Sequence, residues 1–252
     1  LRGPAPDLTW PYFTCIGAAQ TMGVYVETPF PAALSARIGV QALNLGVGAG
    51  GPGFFVDFHP QLLEWANRGR FVVLQVMSAR GESTSRYLAT GRAESLRNRA
   101  TGADSSSMAA WARILKHEPQ YAARYVAELR AAWVDRNLAL IAAVRVPVIL
   151  FWFSPRPLDV EIDYSPSGNI TAMLSFPQFV DGASVRTVAA ACAGFAECYS
   201  ERNTGHPLIS RFTGEPVRVD HGALGGQLAA MSGTDSPIGV AVNRYYPSPE
   251  MH

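Results

Sequence analysis

Four short runs rich in β-branched and aromatic residues, at 12–17, 41–46, 71–77 and 147–153, are separated by stretches with helical periodicity. Apolar runs of this length, with little polar alternation, suit strands buried on both faces, the condition met in a parallel sheet flanked by helices. The segment 29–38 enters through Pro29 and leaves at Gly39, the expected pattern for a helix begun by proline and ended by a left-handed glycine. A second helix is predicted over 59–67. From 120 to 144, Tyr121, Tyr125, Leu129, Trp133, Leu140 and Val144 recur mostly at helical spacing, so a long helix should lay an apolar stripe on the sheet. The order of elements predicts an α/β chain with a doubly wound parallel sheet, whose ligands collect at the carboxyl ends of the strands. A chain of 252 residues fits one such domain over 1–252 carrying long loop insertions.

Two stretches do not fit short crossovers. The interval 81–119 is rich in Ser, Arg, Gly and Asn, and with the residue before it holds Arg80, Arg86, Arg92, Arg97 and Arg99. It leaves the sheet where a catalytic loop would leave it, and loops beyond about 15 residues are functional or disordered more often than not. It reads as an anion-binding lid or as an ordinary solvated insertion. The stretch 154–180, with Pro155, Pro157, Pro166 and Pro177, is placed to cover the same edge.

Charge and composition remove several classes. A net charge of +1, with no basic run interleaved with aromatics, gives no reason to expect nucleic acid. Lys116 is the sole lysine among plentiful arginines, the usage of a GC-rich bacterial genome. Cys15, Cys192 and Cys198 lack metal-ligand spacing and read as reduced thiols of a cytoplasmic protein. Neither an apolar span of about 18 residues nor a signal peptide is evident, so no membrane span is expected. Gly46, Gly48 and Gly51 satisfy the dinucleotide pattern formally, but they follow the second strand and Pro52 interrupts the loop, so no cofactor is expected. Asn169-Ile-Thr171 is a sequon by pattern alone. No Gly-x-Ser-x-Gly elbow, His-Glu-x-x-His helix or phosphate-binding Gly-Lys-Ser/Thr loop occurs, and no metal site is expected.

Four segments in order carry a more specific signal: Gly17-Ala-Ala-Gln-Thr-Met-Gly23, Asn44-Leu-Gly-Val-Gly48, Met77-Ser-Ala-Arg80 and Asn243-Arg-Tyr-Tyr-Pro-Ser-Pro-Glu-Met-His252. They resemble the sequence blocks of SGNH (GDSL-type) esterases and acetyltransferases. The resemblance implies a three-layer, flavodoxin-like fold. It also implies that Ala19 stands at the nucleophilic serine, Asn243 at the aspartate and Tyr246 at the histidine, with the third-block asparagine missing and the Gly46 amide kept as an oxyanion donor. A serine triad needs an imidazole to take the hydroxyl proton and a carboxylate to hold its tautomer. An amide and a phenol supply neither, so ordinary ester hydrolysis is not expected. With their flanking residues, Cys15-Ile-Gly-Ala-Ala-Gln-Thr, Leu43-Asn-Leu-Gly-Val-Gly, Val76-Met-Ser-Ala-Arg and Tyr245-Tyr-Pro-Ser-Pro-Glu-Met-His also resemble a bacterial family catalogued as domain-of-unknown-function family 6473, a likeness that implies no activity.

Candidate residues follow from the strand ends. Ser78 with His252 is the catalytic set to weigh, with Thr21 and Cys15 as lesser nucleophiles; a serine without a base in reach is a weak nucleophile. The remaining histidines read as structural: His59 and His206 beside prolines, His117 near a helix end, and His221 in an Asp220-His221 pair before a glycine-rich stretch. Gly17, Ala19, Gln20, Thr21, Asn44, Gly46, Ser78, Arg80, Asn243 and Tyr246 form the expected ligand-binding set, with Arg80 reaching an anionic group. These groups suit a small hydroxyl-rich or anionic ligand, such as a glycan. By analogy with acetyltransferases of the resembled fold, the expected setting is surface-polysaccharide metabolism. The alternatives are a hydrolase or acyltransferase with a displaced catalytic set, and an interaction module that meets an acidic partner through the arginine-rich insertion.

Overall fold

The computed structural model describes residues 5–92, 94–166, 170–200, 205–220, 232–233, 238–243 and 245–252. In chain order, β1 (Tyr12–Gly17) leads into a single helical turn, α1 (Ala19–Met22), then α2 (Phe30–Ile38) and β2 (Gln41–Gly46). A π-helical turn at Phe54–Phe58 precedes α3 (Gln61–Ala66) and β3 (Val72–Gln75). Three short strands follow, β4 (Tyr87–Ala89), β5 (Ser95–Asn98) and β6 (Asp104–Ser106), and then α4 (Ser107–His117), α5 (Ala122–Ala143), β7 (Val148–Ser154), α6 (Gly182–Ala189) and β8 (Gly194–Tyr199).

β1, β2, β3, β7 and β8 form one parallel sheet in the order β2-β1-β3-β7-β8. The chain steps from β1 outward to β2, then returns across β1 to β3. The strand order therefore reverses between β1 and β3, and the loops leaving them diverge to opposite sides of a crevice at the carboxyl edge.

Alternation along the strands builds two cores. Tyr12 and Ile16 of β1, Leu43 and Leu45 of β2, Val72 and Leu74 of β3, and Val148, Leu150 and Trp152 of β7 face a large core shared with α3, α4, α5 and α6. The intervening residues Phe13, Cys15, Val73 and Phe153 face a smaller one closed by Phe30 of α2 and by Met251. Each strand between them is covered on both faces, which is why the sequence shows apolar runs rather than a period of two. α5 carries its stripe as expected, with Tyr125, Leu129, Trp133 and Leu140 buried. The Trp133 indole N–H donates to the Met77 carbonyl at 2.8 Å, pinning the chain as it leaves β3.

β1 and β2 match their predicted ranges, β7 is shifted by one residue at equal length, and the third predicted strand and the predicted helices are present but shorter. The third strand ends at Gln75, not at residue 77: Gln75 is its last residue paired with β7, and the Val76 carbonyl beyond it is taken by the Gln75 side-chain amide rather than by a neighbouring strand. The interval 81–119 is folded: β4, β5 and β6 form an antiparallel sheet, and the Ser106 hydroxyl caps α4 by accepting from the Ala109 amide. Its arginines are partly consumed inside this unit, Arg86 on Glu118, Arg97 on Asp104, and Arg99 on the Thr84 carbonyl. In 154–180 the buried guanidinium of Arg156 donates to the carbonyls of Val160, Pro177 and Val180 and lies over the Trp152 ring. Near the C-terminus, β9 (His206–Pro207), β11 (Ser232–Gly233) and β13 (Val242–Asn243) form one small antiparallel sheet, and β10 (Arg218–Asp220) pairs with β12 (Ile238–Val240). No helix among the described residues is long and apolar enough to cross a membrane.

Candidate functional site at the carboxyl edge of the sheet

The turn after β1 is held by polar side chains buried beneath it. Gln75, fully buried on β3, accepts the Ala18 N–H at 2.9 Å and the Thr21 hydroxyl at 2.8 Å through Oε1, and donates through Nε2 to the Val76 carbonyl at 2.9 Å. A Cβ on Gly17 would come within 2.1 Å of Thr21 Oγ1 and 2.5 Å of Gln75 Oε1, so glycine there makes room for this network. Asn44 works in parallel from β2: Nδ2 donates to the Thr21 carbonyl at 2.9 Å and Oδ1 accepts the Gly46 N–H at 2.9 Å. The Gly46 amide expected to face a ligand is thus bonded inside its own strand end. Its missing side chain has a separate reason, since a Cβ would sit 2.2 Å from the Met22 nitrogen. Ala19 opens α1 and is buried; Gln20 beside it is also buried, with Oε1 accepting no hydrogen bond among the described residues.

Past β3, Ser78 donates to Gln178 Oε1 at 2.5 Å and accepts the Gln178 N–H at 3.3 Å. Gln178 Nε2 donates in turn to the Met173 carbonyl and to the Tyr245 hydroxyl, both at 2.7 Å. The serine's neighbour is therefore an amide, which cannot serve as a base. His252 is used elsewhere: its Nδ1 accepts the Phe30 N–H at 2.9 Å at the first turn of α2, and its ring packs on Phe30 and Phe153. The structure gives Ser78 and His252 different partners and does not join them. Cys15 is buried within β1 and burial pushes its thiol well up, so it stays protonated.

Arg80 Nε pairs with Glu94 Oε2 at 3.1 Å, and Glu94 also accepts from the Ser107 hydroxyl at 3.0 Å. Arg80, expected to answer a ligand anion, meets a carboxylate of the chain itself. Tyr246 lies near this pair. Its phenol is pushed up to about 12 by burial and by the neighbouring Tyr245 and Tyr25, with Arg80 opposing, so it is neutral at physiological pH. Tyr246 makes edge contacts with Tyr25 at 5.5 Å and Tyr245 at 4.9 Å. Tyr25 is half exposed and holds a left-handed φ of 66°, a strained conformation for a bulky residue. Asn243 shapes the loop that brings Tyr246 here: Oδ1 accepts the amides of Tyr245 and Tyr246 at 3.2 and 2.9 Å, and Nδ2 donates to the Tyr246 carbonyl at 3.0 Å. This is an Asx-type turn, a local backbone role.

Two polar residues absent from the sequence reading prove central. Gln75 was legible as the one polar residue in an apolar strand. Glu82 follows the third block by two positions, is 3 % exposed, and has its carboxyl pushed up to about 7 by desolvation and by Asp57, against the Gly53 N–H and Arg136. Its Oε1 accepts the Gly53 N–H at 3.2 Å, so the glycine-rich loop after β2 already holds a carboxylate at this amide. Of the histidines, His117 lies in the last turn of α4 and His59 packs on Phe54, while His206 is 3.4 Å from Asn243 Nδ2. His221 and Asn169 lie outside the described residues. Among the described residues no group of three or more His, Cys, Asp and Glu side chains could hold a metal ion.

No curated protein matches this chain. Residues 1–92 match the model of a protein family described as Domain of unknown function (DUF6473), a segment that contains Ala19, Asn44, Ser78, Arg80 and Glu82 and stops before Asn243 and Tyr246.

Proposed function

We propose that the chain is an SGNH-like, three-layer α/β protein without the hydrolase triad, and that it binds a hydroxyl-rich, glycan-like ligand at the carboxyl edge of its sheet. The observation that carries this reading is the meeting of Tyr25, Tyr246 and the Arg80–Glu94 pair, drawn from three distant parts of the chain. A half-exposed tyrosine ring offers an apolar face and a polar tip. An arginine beside a carboxylate offers donors and an acceptor together, which suits neighbouring hydroxyls better than a bare anion. An anionic substituent on the ligand would have to compete with Glu94 for Arg80. The strand order β2-β1-β3-β7-β8 supports the flavodoxin-like part of the reading, and the C-terminal loop reaching Tyr25 supports the alignment that sets Tyr246 opposite the first block. Participation in bacterial surface-polysaccharide metabolism is the setting this reading fits.

The displaced catalytic set gains no support, since Ser78 bonds an amide and His252 caps α2. The test is binding to an array of neutral, acylated and sulfated oligosaccharides by the intact chain and by Tyr25→Ala and Arg80→Met. Retention of a neutral or acylated glycan, weakened at least about tenfold by either change, is the expected result; one such factor corresponds to about 1.4 kcal/mol. Equal binding by all three proteins would remove the site from consideration.

A further inference from the structure

The insertion 81–119 delivers a carboxylate to the tyrosine platform, the reverse of what its arginines suggest. Arg86, Arg97 and Arg99 are spent inside the insertion on Glu118, Asp104 and the Thr84 carbonyl. What reaches Arg80 is Glu94, from the turn between β4 and β5. The two side chains are mostly covered, at 13 % and 19 % exposure, so salt screens the pair far less than it would at an open surface. Glu94 is fixed there through both backbone and side chain. Its carbonyl accepts the Ser107 N–H at 3.0 Å, its Oε2 accepts the Ser107 hydroxyl at 3.0 Å, and the next residue, Ser95, pairs with Ser106 across β5 and β6. Ser107 is buried and opens α4, an 11-residue helix whose N-terminal end favours a carboxylate. Glu94 cannot swing away from Arg80 without giving up these attachments.

The charges acting on the Tyr246 phenol are those of Arg80 and Glu94, opposite in sign. A sulfate or carboxylate arriving at the guanidinium would meet Glu94 as a like charge at short range, where partial burial leaves the repulsion little damped. A hydroxyl meets no such penalty. Arg80 Nη1 and Nη2 donate no hydrogen bond among the described residues, so they remain for the oxygens of uncharged groups.

We infer that Glu94 is the specificity-determining residue of the tyrosine platform: brought in by the insertion, it cancels the charge of Arg80, so that the site takes uncharged hydroxyl groups and turns away sulfated or carboxylated ones. The insertion thus acts as a filter against anions. This inference rests on the glycan reading for the place and class of the ligand. Removing the Glu94 charge leaves a mostly covered guanidinium without its counterion, a group that then recruits an anion from solution.

The test is calorimetric titration with sodium sulfate at fixed ionic strength, on the intact chain, on Glu94→Gln, and on Glu94→Gln combined with Arg80→Met. Glutamine keeps the size of the side chain and an oxygen for Ser107 while removing the charge, and Glu94→Ala serves as a second variant should the first fold poorly. Expected is sulfate binding at least about tenfold tighter in Glu94→Gln than in the intact chain, with the gain lost in the double variant. No gain in a folded Glu94 variant, or a gain that survives loss of Arg80, would overturn the inference. So would sulfate binding by the intact chain tighter than about 1 mM that disappears in Arg80→Met, a measurement needing no Glu94 variant. Sulfate is not a glycan, so the two readings fail separately. Retention of neutral oligosaccharides without a sulfate gain sinks the role of Glu94 alone, and a sulfate gain with no glycan retained sinks the glycan reading alone.

Discussion

Gln75 shows how one buried side chain sets the geometry of a whole edge. Its amide joins the exit of β3 to the turn after β1 through three hydrogen bonds at full burial. Replacing it with leucine would leave the Ala18 N–H, the Thr21 hydroxyl and the Val76 carbonyl without this partner in an enclosed space, where each orphaned group costs about 1–3 kcal/mol. Gln75→Leu is therefore expected to lower stability by at least about 3 kcal/mol in urea unfolding, and Gln75→Glu to be no milder. Glu82 imposes a pH dependence of opposite sign to that of a salt-bridged carboxylate. Its folded pKa of about 7 lies above the ordinary value of 4.5, so between these values the native state holds more protons than the unfolded one. Its contribution is intact below about pH 4.5 and is lost as pH rises through about 7, an effect of the order of 3 kcal/mol. Unfolding of Glu82→Gln followed from pH 4.5 to 8 should lack this decline, and identical pH profiles for the two proteins would remove Glu82 as its source. Neither residue could be assigned its partners from the sequence, because both act on backbone groups brought close only by the crossover of strands.

At the scale of elements, β1 and β2 were legible because their residues are apolar on both faces, whereas β8 was not. It is an edge strand like β2, but unlike β2 it leaves Phe195 and Tyr199 exposed and carries Glu197 between them, so its sequence shows no continuous apolar run. β4, β5 and β6 were hidden for another reason: they are three or four residues each, β5 and β6 are mostly polar, and they gain their order from pairing with one another and from the Arg97–Asp104 ion pair. The start of α2 depends on a segment more than two hundred residues away. His252 accepts the Phe30 N–H, and Met251 beside it closes the smaller core. His252→Ala should cost about 1 kcal/mol, the usual loss of a helix-capping bond, and Met251→Ala about 2–4 kcal/mol for a large-to-small core change. Thermal unfolding of both variants checks this; a destabilisation below about 0.5 kcal/mol for Met251→Ala, well under the range expected of a core position, would mean that the C-terminal turn does not seal α2.

Across the whole molecule, strain and polar burial collect at one edge. The non-glycine residues with left-handed φ among the described ones are Tyr25, Ala49 and Phe179, in segments that follow β1, β2 and β7 toward the carboxyl side of the sheet. On the proposed SGNH-like reading this edge would carry the triad positions, and the hydrogen bonds there are committed within the chain beyond Ala19, Asn243 and Tyr246 themselves. The Gly46 N–H is bonded to Asn44, the Asn243 amide oxygen is spent on the Tyr245 and Tyr246 amides, and Ser78 is tied to Gln178. Restoring residue types alone leaves these bonds in place. Ala19→Ser with Asn243→Asp and Tyr246→His would set a hydroxyl beside a turn governed by Gln75, and would give the new aspartate the same two backbone donors in place of an imidazole to orient. An oxyanion formed by attack of that new hydroxyl would find the Gly46 donor already engaged, and loss of one such donor alone is worth about a hundredfold or more in rate. The triple variant is therefore expected to hydrolyse p-nitrophenyl acetate no faster than the parent chain, itself indistinguishable from a heat-denatured control. A gain of about a hundredfold, abolished when position 19 alone is returned to alanine, would show that the edge keeps a hydrolase geometry and that its present hydrogen bonds yield readily to a substrate.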